Sequence, residues 1–84
     1  MYKLTVNLNE IKNQRKIKGY TQQQMSQLLG HENRAWYAKR ENGFVSISAD
    51  DLIDIAQILG FDKNSLGIFF VSSVHNKERE EIAL

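Results

Sequence analysis

Apolar residues recur along this chain in two rhythms. At the start, Tyr2, Leu4 and Val6 alternate with polar neighbours, the period-two mark of a half-buried strand. From residue 8 the spacing lengthens to that of helices. Leu8, Ile11 and Ile17 supply the buried side of a first predicted helix over residues 8 to 18. Asn7 with Glu10 three positions on has the character of a capping box, and Gly19 is placed to take a left-handed exit. Thr21 and Gln24 repeat the opening signal. Met25, Leu28 and Leu29, at i, i+3 and i+4, predict the buried side of a second helix that Gly30 ends. Asn33 is the natural cap of a third helix, which runs towards Gly43. Ser48 to Asp51 opens a fourth, with Leu52, Ile55, Ala56 and Leu59 on one face and Gly60 at its end. FDKNSL holds one short helical turn capped by Asp62. GIFFVSSV is rich in aromatic and β-branched residues and predicts a strand over about residues 68 to 74. A lone strand leaves its ladder unsatisfied, so the two ends are expected to pair, either within one subunit or across a dimer. The final HNKEREEIAL is polar and is read as a frayed end or a terminal helix.

The third helix, between the Asn33 cap and Gly43, separates into two unlike faces. At about 100° per residue, with Tyr37 pointing into the core, Asn33, Arg40 and Glu41 lie on the same side. Ala35 and Lys39 point away, Trp36 and Ala38 stand on the flanks, and Arg34 sits at the tip. The outward face therefore reads Arg-Ala-Trp-Ala-Lys. Small residues let another backbone approach closely, beside long cations and without an acid. A solvated face carries mixed Glu and Lys pairs more often.

Charge distribution strengthens that reading. The 84 residues carry a net charge of only +1. Residues 1–43, however, hold 8 basic groups against 3 acids, and residues 44–84 hold 3 against 7. One half suits a polyanion and the other does not. The length fits a single domain over residues 1–84, with a small core and no deep catalytic cleft. There is no Cys, so disulfides and thiolate zinc sites are excluded. No apolar run approaches the length of a membrane span and no secretory pattern opens the chain, so no membrane is expected and a cytoplasmic protein is the default. His31 and His75 are too poorly accompanied for a metal site. Asp50, Asp51 and Asp54 crowd the start of the fourth helix, where carboxylates offset the dipole, and make no catalytic pair. An enzyme is not expected.

Short helix, glycine-containing turn and short basic helix are the parts of a helix-turn-helix. In KGYTQQQMSQLLG (18–30), in Glu41-Asn42-Gly43 and in DDLIDIAQILGF, the chain resembles the family of phage repressors, Cro proteins and XRE-type regulators. The similarity spans roughly residues 8 to 66. It implies an all-α, five-helix repressor-like domain, to which the chain ends add a small two-stranded β element. It further implies a regulator that binds double-stranded DNA with its third helix in the major groove, as a homodimer on a palindromic operator, without a cofactor. By position, Arg34, Ala35, Ala38 and Lys39 match slots that face base edges. Gln22 matches a phosphate-contacting glutamine, Asn42 and the turn after it another backbone contact, and Arg15 with Glu41 an ion pair that braces the motif. Ser26 occupies a slot where the second helix must be thin. Two residues depart from the pattern: Arg40 where an apolar residue is usual, and Trp36 where a small polar one is usual. Arg40 fits if its stem packs while its guanidinium reaches water or phosphate. Trp36 either joins the base contacts at a thymine methyl or sugar, or lies flat over the second helix as peripheral core. Lys12, Lys16 and Gln23 complete the expected backbone contacts. The alternative is a protein-interaction module, an antitoxin-like or anti-repressor partner on the same fold, which the apolar GIFFVSSV favours.

Overall fold

A computed structural model describes residues 2–74. The order of elements is strand β1 (Tyr2–Val6), helices α1 (Leu8–Ile17), α2 (Gln22–Leu28), α3 (Arg34–Glu41) and α4 (Ala49–Ile58), a 3-10 helix (Lys63–Phe69) and strand β2 (Phe70–Val74). The expected helical domain with a two-stranded sheet is thus what the chain forms. β1 and β2 pair antiparallel within one chain, with Tyr2 opposite Val74 and Val6 opposite Phe70. The last stretch, HNKEREEIAL, lies outside the described residues.

The caps form where the sequence places them, with one change. Asn33, Ser48 and Asp62 each accept a backbone N–H of the first turn they open, and Thr21 with Gln24 closes a complete capping box. At Asn7 only half of the expected box forms. Its side chain accepts from the Glu10 N–H at 3.1 Å. Its own N–H is taken by the carbonyl of Phe69 at 2.7 Å, so Glu10 turns instead to the side chain of Gln14.

Ile11, Met25, Tyr37, Ile55, Ala56, Leu59 and Phe69 are fully enclosed, so every helix contributes to one core. Helix α4 with its C-cap supplies half of the buried cluster, through the predicted Leu52, Ile55, Ala56 and Leu59. Two expectations fail at the helix edges. Ile17 is 65% exposed and Leu28 54% exposed. In α1 the buried arc is centred on Ile11, Leu8 and Arg15, and Ile17 lies about 120° away from Ile11. In α2 the buried arc turns towards Ser26, where α3 crosses, and carries Leu28 out of it. Strand β2 starts at Phe70 rather than near residue 68, because the helical turns opened by Asp62 run on until Phe69 reaches the core. On β1, Val6 packs against the core, whereas Leu4 is 67% exposed instead of half-buried.

Candidate nucleic-acid interface

Behind the outward face of α3 lies a buried carboxylate with four hydrogen-bond donors. Arg15 reaches Glu41 with two bonds, Nε to Oε2 at 2.8 Å and Nη2 to Oε1 at 3.1 Å. The Tyr37 hydroxyl donates to Oε2 at 2.6 Å, and Gln22 Nε2 donates to Oε1 at 3.0 Å. All acceptor positions of the carboxylate are thereby used. Burial pushes the Glu41 carboxyl up, but the bonds from Arg15, Tyr37 and Gln22 outweigh it and hold the group below the ordinary carboxylate range. Burial first, and the Glu41 carboxylate second, push the Tyr37 hydroxyl above the usual phenol range. The hydrogen bond to Glu41 also raises Arg15, whose Nη1 donates to the Tyr20 carbonyl at 2.7 Å. One cluster thus joins α1, the start of α2, the turn at Tyr20 and the end of α3.

The cluster extends to the surface. Gln22 Oε1 accepts from Arg34 Nη1 at 2.8 Å. Arg34 stands exposed at the tip of α3, linked through Gln22 and Glu41 to the buried Arg15. A second bracket holds the helix start: Ser26, fully buried, donates to the Asn33 carbonyl at 2.7 Å. Serine therefore keeps α2 thin and also ties it to the cap of α3. Gln23 Nε2 donates to the Glu32 carbonyl at 2.7 Å and fixes the turn between them.

With its origin held, α3 presents a regular outer stripe. Ala35, Lys39 and Asn42 follow one another at i, i+4 and i+7, with Arg34 beside the first. Arg34, Lys39 and Asn42 are exposed and Ala35 is half-buried. The one acid of this helix, Glu41, is buried and matched by Arg15, so the stripe is cationic and free of carboxylates. Lys12 and Lys16 are exposed on α1.

Other expected contacts sit differently. Ala38 is only 7% exposed and packs inward beside Tyr37, because the buried arc of α3 is wide enough to include it. Trp36 is half-buried and packs against the edge of the core, and its ring is not free. His31 stacks on it with centroids 3.8 Å apart and planes 11° from parallel. The Arg40 guanidinium carbon lies 3.9 Å from the ring centroid. Two groups at that distance would collide on one side of the indole, so they occupy opposite faces. Arg40 is engaged elsewhere as well: Nη1 donates to the Trp36 carbonyl at 2.8 Å, and Nε lies 3.8 Å from Asp51. It spans α3 and α4 rather than reaching outward, and its Nε–H is buried without a hydrogen-bond partner among the described residues. Gln22 and Gln23, expected at phosphates, spend side-chain donors on Glu41 and on the turn. The spacing of Tyr37 with Glu41 and of Trp36 with Arg40, each i and i+4, is the sequence signal for these contacts. Nothing local in the sequence marks the pairing of Gln22 with Arg34.

Among the described residues, no group of three His, Asp or Glu side chains is placed to hold a metal, and no helix is long and apolar enough to cross a membrane. A family model described as helix-turn-helix matches residues 11–66. No curated protein and no solved structure matches the chain.

Proposed function

Because the chain belongs to the XRE-type helix-turn-helix family of DNA-binding transcription regulators, we propose that it reads a palindromic operator as a homodimer. Two copies of α3 enter successive major grooves about 34 Å apart. Arg34 pairs with guanine O6 and N7, Ala35 allows close approach and Lys39 supplies a second contact to base edges. Lys12, Lys16 and Asn42 contact phosphates and set register, while Gln22 holds Arg34 at its angle and shares in the phosphate contact. Ala38, Trp36 and Arg40 serve the helix from behind and beside it.

The single observation that supports this reading is the acid-free stripe of Arg34, Ala35, Lys39 and Asn42, on a helix whose only carboxylate is buried against Arg15. Such a surface attracts a polyanion, and the bracing behind it fixes where each side chain stands. Selection of bound duplexes from random DNA is the direct test. Two half-sites with dyad symmetry, centred about one helical turn apart, are expected. Recovery of unrelated sequences, with no gel retardation at low salt, removes the DNA reading. It then leaves the second one, a protein-interaction module on the same fold, which the 81% exposure of Phe44 favours.

A further inference from the structure

The four α-helices of the described residues all leave by the same route. A glycine with φ between +80° and +90° follows each cap, and the next residue donates its N–H to a carbonyl five positions back. Those next residues are Tyr20, His31, Phe44 and Phe61, and each carries a ring. Three of the rings are packed. Tyr20 lies against the core, His31 stacks on Trp36, and Phe61 meets Phe69 edge-on at 5.1 Å. Phe44 is 81% exposed although its N–H is bonded to the Lys39 carbonyl at 2.8 Å. Its backbone is as firmly held as the others, and its ring has no stacking partner among the described residues.

A matching hole exists on the same molecule. A groove of about 340 Å³ runs between the sheet and the start of α4, lined chiefly by Val6, Ile47, Leu52, Ile53, Leu66 and Phe70. Ile53 and Phe70 form its rim, 42% and 38% exposed. The loop carrying Phe44, FVSIS, contains no charge, which suits an apolar partner. Ile47, three residues after Phe44, already belongs to the groove. Knob and hole are therefore neighbours, the arrangement that a two-fold axis passing between them converts into a reciprocal exchange.

We propose that the occupant of this groove is a second copy of the chain: Phe44 of each protomer fills the Val6, Ile53 and Phe70 groove of the other. The proposal rests on the reading of the protein as a symmetric dimer on DNA and names the surface that makes the dimer. A buried aromatic anchor of this kind dominates an interface of ordinary size.

Phe44→Asp and Ile53→Lys test it, since both side chains are exposed in the monomer and circular dichroism checks that each variant folds. In sedimentation equilibrium the unsubstituted protein is expected to dimerise, and each variant alone to dissociate about thirtyfold more readily or worse. Mixing the two variants is expected to restore a heterodimer. One crossing then pairs the introduced aspartate with the introduced lysine, and the other keeps Phe44 against Ile53. A monomeric unsubstituted protein, variants that still dimerise, or a mixture that stays monomeric overturns the proposal. Gel shifts on the same samples separate the two readings. Dimers that retard no DNA remove the proposed function and leave this interface standing. Retardation by a protein that dimerises through another surface does the reverse.

Discussion

Glu41 shows how a single side chain sets the terms for its neighbours. Its carboxylate takes two donors from Arg15 and one each from Tyr37 and Gln22, away from water. Removing the partner charge leaves an uncompensated buried ion, so Arg15→Met is expected to cost about 3–5 kcal/mol in urea denaturation. The cluster also predicts a pH profile. The folded Glu41 titrates below its unfolded value, so its stabilisation is complete above about pH 4.3 and is lost as the pH falls through the folded value. Tyr37 is displaced upward, so its contribution is complete below about pH 10 and declines above it. Glu41→Gln should flatten the acid limb of the urea midpoint against pH, and a limb that persists unchanged assigns acid lability to other groups. At the tip of α3, Arg34→Ala is expected to cost about 1–3 kcal/mol of binding and to relax preference at one base pair. Unchanged selectivity at every operator position would place base reading elsewhere.

At the level of elements, the caps and glycine exits were legible because they depend on residues next to one another. Asn33, Thr21, Ser48 and Gly43 act within a turn of where they stand. Tyr37 and the α4 face were legible for the same reason, a periodic pattern read along one helix. What the pattern could not show was how far each buried arc turns, because that is set by the neighbouring helix. Ile17 and Leu28 fell outside the arc and Ala38 inside it for this reason. Trp36 was open to two readings, and its stacking partners could not be read because they come from the turn and from its own next coil of helix. The exits themselves give a graded prediction. An added methyl at Gly30 meets nothing within 4 Å, whereas at Gly43 it lies 3.3 Å from Leu8 Cδ1. Both positions hold left-handed backbone, which costs an L-residue about 1–2 kcal/mol. Gly43→Ala should therefore lower the melting temperature more than Gly30→Ala, and equal losses would show that Leu8 yields freely.

For the whole molecule, the division of charge is the feature that composition alone conceals. The first half carries the cations of α1 and α3, and the second half holds the acidic start of α4. Lys12→Ala and Lys16→Ala, if these lysines contact phosphates, should each reduce the log–log salt slope of binding by about 0.9 without altering the preferred sequence. A slope that stays constant moves the phosphate contacts to other residues.

The sheet closes the molecule on itself, with partners such as Thr5 and Val71 lying 66 positions apart in the chain. Tyr2 opposite Val74 places the outer rung at the open end, so a load applied between those two residues peels the strands apart one rung at a time. The strands are unzipped rather than sheared. Force does not reach the helices until the rung of Val6 with Phe70 parts and the Asn7 N–H leaves the Phe69 carbonyl. Pulled in an optical trap, the protein should therefore give way first at low force over a short extension, with the helical body yielding afterwards as a separate event.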